Sequence, residues 1–466
     1  MTQSVRWMGS SESEFPAVKP SRRLSSLKFL QRYPIFLLAL GPPIFRENGA
    51  LKGFDTSQAH FSFWNVFQVA WIALPTARAI IRLISARSLR IPRQIQTVLR
   101  LAFFLGLLYM ISVIYSPGRA VSAEFSVLYF GTMICVTEFI VDVYRNPPNW
   151  VQCLFQLRGL SFFSLIVILA TLLFDPPMVL SNIPGVGIRL TGGVVGNTGL
   201  LGSVIAIISA YSFLSSLESK VQSTFFFLVG LASALISQTR GVEITLLIVL
   251  TILGVQWAKT SGRAAYIFIS GFIASILVAG AALVAVGGGR VWNAFNRGQD
   301  TSGIATASGR TEMWTYAFSY CIQHPWGMGY VAGFRFYFTK TLDFYLGSGV
   351  AKLGTTHNAF VQVLADAGWL ALALYLIMNA RIVALGFRFA KKQILVPLAS
   401  ENAAPDGIRC AMLLLWFCYI NGMESSDFDT PLRQSFYFQY VIVAIILGAS
   451  ARMLVASRAR GPSLVR

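Results

Sequence analysis

Apolar residues in this chain fall in long runs broken by short polar stretches, a pattern with the length of membrane spans. Because about 17 to 25 residues cross a bilayer core, the runs predict about twelve spans. They lie at 34–45, 63–84, 99–116, 121–142, 151–174, 194–217, 222–238, 242–258, 264–286, 359–380, 408–423 and 434–452. The first is short and carries Pro34, Pro42 and Pro43, so it is expected to be tilted, kinked or re-entrant, and an eleven-span count stays open. The fold class is therefore an all-α polytopic membrane protein.

One polar stretch is far longer than the rest, running from Gly287 to Thr356 over 70 residues. Its start, rich in Gly, Ser and Thr, reads as a loop. From Thr311 to Gln323 there is no Gly or Pro, and Met313, Ala317, Tyr320 and Cys321 recur at helical spacing. That predicts a short amphipathic helix ended by His324-Pro325. Trp326, Tyr330, Phe334, Phe336, Tyr337, Phe338, Phe344 and Tyr345 follow, a cluster that suits the headgroup level of a bilayer or a platform for sugars.

Composition agrees with the pattern, since 55% of residues are hydrophobic and only 12% charged, about half the charge of an ordinary soluble domain. The net charge of +19 would suggest nucleic acid in a soluble protein, but its distribution follows topology instead. With the N-terminus inside, cytoplasmic segments and helix ends hold 26 of the 38 Lys and Arg, and external segments hold 12. That asymmetry predicts both termini inside, and no nucleic-acid partner.

The layout that follows is a cytoplasmic tail over 1–33, transmembrane helices 1–9 over 34–286, an external loop over 287–358, transmembrane helices 10–12 over 359–452, and a cytoplasmic tail over 453–466. Residues 1–32 show no apolar region with a cleavage site, so no cleaved signal peptide is expected. Four of the five cysteines lie in spans and Cys321 in the loop, which predicts neither a disulfide framework nor a zinc site.

Histidine is scarce, limited to His60, His324 and His357. His357 sits where the long external loop meets the apolar run Ala359 to Met378, and a neutral imidazole there can take a proton from a sugar hydroxyl; its structural alternative is a ring at a helix end. Arg189, Arg240, Arg310 and Arg335 fall on the external side, where topology does not explain positive charge. A guanidinium presents a planar fork of donors that matches phosphate oxygens. Each arginine also has a plain reading, snorkelling to headgroups or pairing with an acid, such as Glu243 for Arg240. Asp427-Phe428-Asp429, with Glu424 nearby, suits either a divalent cation or a solvated loop.

From Arg189 to Gly368 the chain resembles the bacterial O-antigen ligase and polymerase superfamily of membrane glycosyltransferases. The residues that carry the resemblance are Ser308-Gly309-Arg310, Trp314, His324-Pro325-Trp326-Gly327-Met328-Gly329, and His357-Asn358 with Gly368. A Ser237 to Gly241 turn and the Arg189, Gly192, Asn197 segment add to it. Ala371 stands where ligases usually carry a second glycine.

The resemblance implies a glycosyltransferase C-type fold in the bacterial inner membrane with its active face periplasmic. It implies transfer of a glycan from an undecaprenyl diphosphate carrier to an acceptor hydroxyl, either the lipid A core (ligase) or a second lipid-linked glycan (polymerase). His357 is then the general base, Arg189, Arg240 and Arg310 bind the diphosphate, and Asn358 contacts substrate. Inversion, metal independence and the lack of any cofactor or nucleotide sugar are also implied. A membrane transporter is the remaining alternative, although no paired broken helices mark one.

Overall fold

The computed structural model describes residues 25–41, 45–47, 50–52, 63–86, 91–183, 187–190, 192, 197–237, 239–259, 266, 310–334, 336–337, 356–390, 404–423, 425, 431 and 434–459. Helices α1 (Ser26–Arg32), α2 (Ile35–Leu38), α3 (Phe63–Ile84), α4 (Arg93–Ser112), α5 (Arg119–Arg145), α6 (Trp150–Phe174) and α7 (Pro176–Val179) form the first half. The second half contains α8 (Thr198–Leu214), α9 (Lys220–Ile236), α10 (Arg240–Ala258), α11 (Arg310–Gln323), α12 (Ala359–Ala390), α13 (Ala404–Gly422) and α14 (Gln434–Ala459). Among the described residues, six of these helices are long and apolar enough to cross a membrane, and α8 and α9 are shorter apolar helices. The protein is an all-α polytopic membrane protein. Helices occupy ten of the twelve apolar runs; the run 264–286, apart from Tyr266, lies outside the described residues.

The segment expected to span at 34–45 is not one helix. Pro34 lacks an N–H and its ring crowds the preceding turn, so the chain breaks into α1 and α2, followed by β1 (Phe45–Glu47), antiparallel to β2 (Ala50–Lys52). The broken element reaches from Arg32, whose Nε donates to Asp142 (3.3 Å), to Ala39, whose carbonyl accepts from Gln434 Nε2 (2.8 Å) at the start of α14. Irregular backbone at membrane depth is tolerated where protein buries it, and Phe29, Tyr33, Ile35 and Phe36 are all buried.

Central and peripheral helices separate by burial. In the spans of α14 and α5, 89% and 78% of residues are buried, against 39% in those of α6, α10 and α12, which leave an outer face uncovered. Between α8 and α9 the contact is backbone to backbone. A Cβ on Gly202 would lie 2.6 Å from both the Ala234 nitrogen and the Gly230 oxygen. Small residues four apart on both helices, Gly202 with Ala206 and Gly230 with Ala234, permit this approach.

Two ion clusters tie one end of the bundle. Arg82 bonds Glu138 and Asp142, the latter at 3.1 Å, while Asp142 also meets Arg32. Arg158 in α6 pairs with Glu218 through Nη2 to Oε2 (2.7 Å), and its guanidinium lies 4.3 Å from the Phe226 ring centroid. The pair is buried, at 5% and 7% exposure. Removing one partner strands the other charge, at a cost of about 3–5 kcal/mol. Arg158→Met is therefore expected to lower the unfolding temperature in detergent well below that of the Arg158→Met/Glu218→Met pair; equal temperatures would show that the pair contributes nothing specific.

Candidate functional site

The opposite end of the bundle gathers the starts of α8, α10, α12 and α14 and the end of α13. Asn358 caps α12 by accepting through Oδ1 from the Phe360 and Val361 N–H groups (2.9 and 3.1 Å). Its Nδ2 donates to the Met423 carbonyl, just after α13 (3.1 Å). Both polar atoms of the side chain thus serve the fold, as an N-cap does. Asn197 caps α8 in the same way (2.9 and 3.3 Å), and its N–H donates to Gln434 Oε1 (3.2 Å). Residues 423 and 434 are the two ends of one connection, so the starts of α8 and α12 share this end of the bundle.

His357 precedes the cap in a left-handed conformation, φ 50°, which costs an L-residue about 1–2 kcal/mol. Such strain persists only where the surroundings over-determine it, and the neighbours do. The buried Thr356 carbonyl accepts from Trp314 Nε1 (2.7 Å), and the Thr356 N–H donates to Gln362 Oε1 (3.0 Å). The Thr356 hydroxyl donates across His357 to the Asn358 carbonyl (2.8 Å).

Trp314 belongs to α11, which forms where the sequence predicts a helix. Met313, Ala317 and Cys321 are fully buried along one face, with Met313 and Ala317 packing against Val361 and Ala365 of α12. Arg310, the first residue of α11, lies one turn before Trp314, about 6 Å along the axis, on the same side as the contact to Thr356. The structure therefore brings Arg310 and His357 to neighbouring helix starts.

Arg189 and Arg240 fall at the same end, each with only its backbone described. Arg189 pairs with Ser181 in a hairpin of β3 (Leu180–Ile183) and β4 (Gly187–Leu190), followed by a bridge from Gly192 to Asn197. Arg240 opens α10. The turn before it packs on the start of α8, where a Cβ on Gly199 would meet the Ser237 hydroxyl at 2.6 Å. Arg335 and the acidic stretch Glu424, Asp427 and Asp429 lie outside the described residues, as do Phe338, Phe344 and Tyr345.

The motif His324 to Gly329 has a physical role. Helix α12 is broken at Gly368 (φ 80°, ψ −173°), so Ala365 and Asp366 lose the N–H partners four residues ahead. The loop replaces them, because Met328 N–H donates to the Ala365 carbonyl (2.7 Å) and Gly329 N–H to that of Asp366 (2.9 Å). In return Trp369 N–H donates to the Pro325 carbonyl (3.1 Å) and its indole to the Cys321 carbonyl (3.1 Å). On the other side Tyr115 donates to the Trp326 carbonyl (2.5 Å), and Tyr330 stacks on Tyr109 with centroids 3.8 Å apart.

The loop aromatics divide accordingly. Tyr330 and Phe334 are core, whereas Trp326 is 67% exposed. Burial, then Asp366, pushes the Cys321 thiol up to about 12, which leaves it a packing residue and not a nucleophile. Sequence reasoning missed Gln362 and Asp366, both buried behind Thr356. The available signal was two polar residues one helical turn apart inside an apolar run.

Compared with known proteins, residues 225–376 match the family model described as O-antigen ligase. The match covers about a third of the chain and includes Arg240, Arg310, the His324 to Gly329 motif, His357, Asn358 and Gly368; Arg189 lies outside it. It supports the resemblance to the O-antigen ligase superfamily. No curated protein matches the chain.

Proposed function

We propose, on the premise of that family match, that the protein transfers a glycan from an undecaprenyl diphosphate carrier to an acceptor hydroxyl at the periplasmic face of the bacterial inner membrane. The observation that carries this reading is the convergence at one end of the bundle of His357, held left-handed before a helix start, with the helix starts that bear Arg310 and Arg240 and the hairpin that bears Arg189.

His357 takes the proton of the acceptor hydroxyl as that oxygen attacks the anomeric carbon, and the bond from that carbon to the diphosphate oxygen breaks with inversion. Undecaprenyl diphosphate leaves with an extra negative charge. Arg310, Arg240 and Arg189 meet that charge, assisted by the positive ends of α8, α10 and α12. Asn358 serves the step by fixing the helix start beside His357. No metal ion, cofactor or nucleotide sugar takes part. The same chemistry serves a ligase, with the lipid A core as acceptor, or a polymerase, with a second lipid-linked glycan. A deletion strain separates them: intact long chains left on the carrier mark a ligase, and single repeats still attached mark a polymerase.

Losing a charge-assisted hydrogen bond costs about 1.5–3 kcal/mol. Arg310→Ala is accordingly expected to weaken donor binding by about ten-fold or more while leaving acceptor KM unchanged, with partial recovery in Arg310→Lys. Titration of purified protein with the lipid-linked donor measures this, and unchanged donor affinity removes Arg310 from the diphosphate site.

A further inference from the structure

Behind His357 lies a buried polar relay. Gln362 accepts the Thr356 N–H through Oε1 (3.0 Å) and donates through Nε2 to Asp366 Oδ1 (2.8 Å). Gln362 is 1% exposed and Asp366 0%. A backbone N–H can only donate, so the Thr356 N–H takes the Gln362 amide oxygen and leaves the amide nitrogen to donate to Asp366. With that orientation fixed, the Thr356 N–H is tied to α12 one residue before the left-handed His357. The Asn358 cap holds the residue after it. The relay also meets the broken helix, because the Asp366 carbonyl is where the Gly329 N–H docks (2.9 Å).

We propose that Gln362 and Asp366 are positioning residues that hold the His357 backbone left-handed and so aim its imidazole at the reacting hydroxyl, without touching substrate themselves. The inference rests on the reading of His357 as general base. A catalytic group displaced by about 1 Å loses roughly a hundred-fold in rate, and the loss falls on kcat because the donor is bound elsewhere.

The test reverses the polarity of the relay. Gln362→Glu sets two carboxylates against each other, and kcat is expected to fall by roughly a hundred-fold with donor KM unchanged. Combining it with Asp366→Asn restores a donor facing the introduced carboxylate, whose other oxygen still accepts the Thr356 N–H. The double variant is expected to regain most of the wild-type kcat. All variants are purified in detergent, checked by unfolding temperature, and assayed with lipid-linked donor beside His357→Ala.

Activity in His357→Ala overturns the general-base reading itself. An inactive His357→Ala together with wild-type kcat in Gln362→Glu, or with a double variant no faster than the single one, overturns the positioning role alone. If Gln362→Glu does not fold, Gln362→Met removes both hydrogen bonds without adding charge and carries the same expectation for kcat. Wild-type kcat in it, or failure of both variants to fold, overturns the proposal.

Discussion

Purified His357→Ala protein is expected to bind the undecaprenyl diphosphate donor as wild type does and to transfer its glycan about 10²–10⁴-fold more slowly. The range is the contribution of a positioned general base, and the specificity of the loss follows from the surroundings. Thr356 is held through Trp314, Gln362 and its own hydroxyl, and Asn358 through the α12 cap and Met423. These contacts use backbone atoms and neighbouring side chains, so removing the imidazole leaves them in place. Expression, membrane insertion and unfolding temperature should therefore stay near wild type while kcat collapses. A His357→Ala enzyme that is well folded and fully active removes the base from the mechanism.

Gly368→Ala should have the largest effect on the fold. The backbone there (φ 80°, ψ −173°) lies in a region that essentially only glycine occupies, which costs other residues about 1–3 kcal/mol. A Cβ would also lie 1.9 Å from the Pro325 oxygen and 2.7 Å from the Trp326 carbonyl carbon. Relief requires the loop to withdraw, which breaks the reciprocal bonds of Met328, Gly329 and Trp369 with the broken helix. Together these effects are expected to cost about 3 kcal/mol or more, read as a lower unfolding temperature in detergent and faster proteolysis within residues 310–334. Wild-type stability in Gly368→Ala would mean that the break is not held as described.

The membrane helices were legible because their signal is local: an apolar run long enough to cross a bilayer needs no knowledge of its neighbours. The same holds for α11, where Met313, Ala317 and Cys321 mark its buried face. What the sequence hid depends on distant partners. Gly368 sits inside an apolar run that reads as one continuous helix, and the residues that splice into it, Pro325 to Gly329, lie about 40 positions earlier. The break at Pro34 was foreseeable from the proline, but its path from Asp142 to Gln434 was not.

At the candidate site, His357 and Arg310 were visible as rare or topologically unexplained residues. Their neighbouring helix starts depend on the Trp314 hydrogen bond to Thr356, which spacing does not reveal. The family resemblance implies a substrate contact for Asn358, while its side chain is engaged in capping. Gln362 and Asp366 were passed over because polar residues in a membrane helix announce a need for partners without naming them.

The most direct test is a single-turnover reaction of purified protein with undecaprenyl diphosphate glycan and an acceptor in the presence of chelator, following the release of undecaprenyl diphosphate in wild type and His357→Ala. Wild type is expected to release the carrier as the glycan is transferred, and His357→Ala to bind the donor equally but release the carrier about 10²–10⁴-fold more slowly. Release at equal rates by both proteins, or a wild-type reaction that stops with chelator and resumes with added magnesium, would contradict a metal-independent transfer driven by His357.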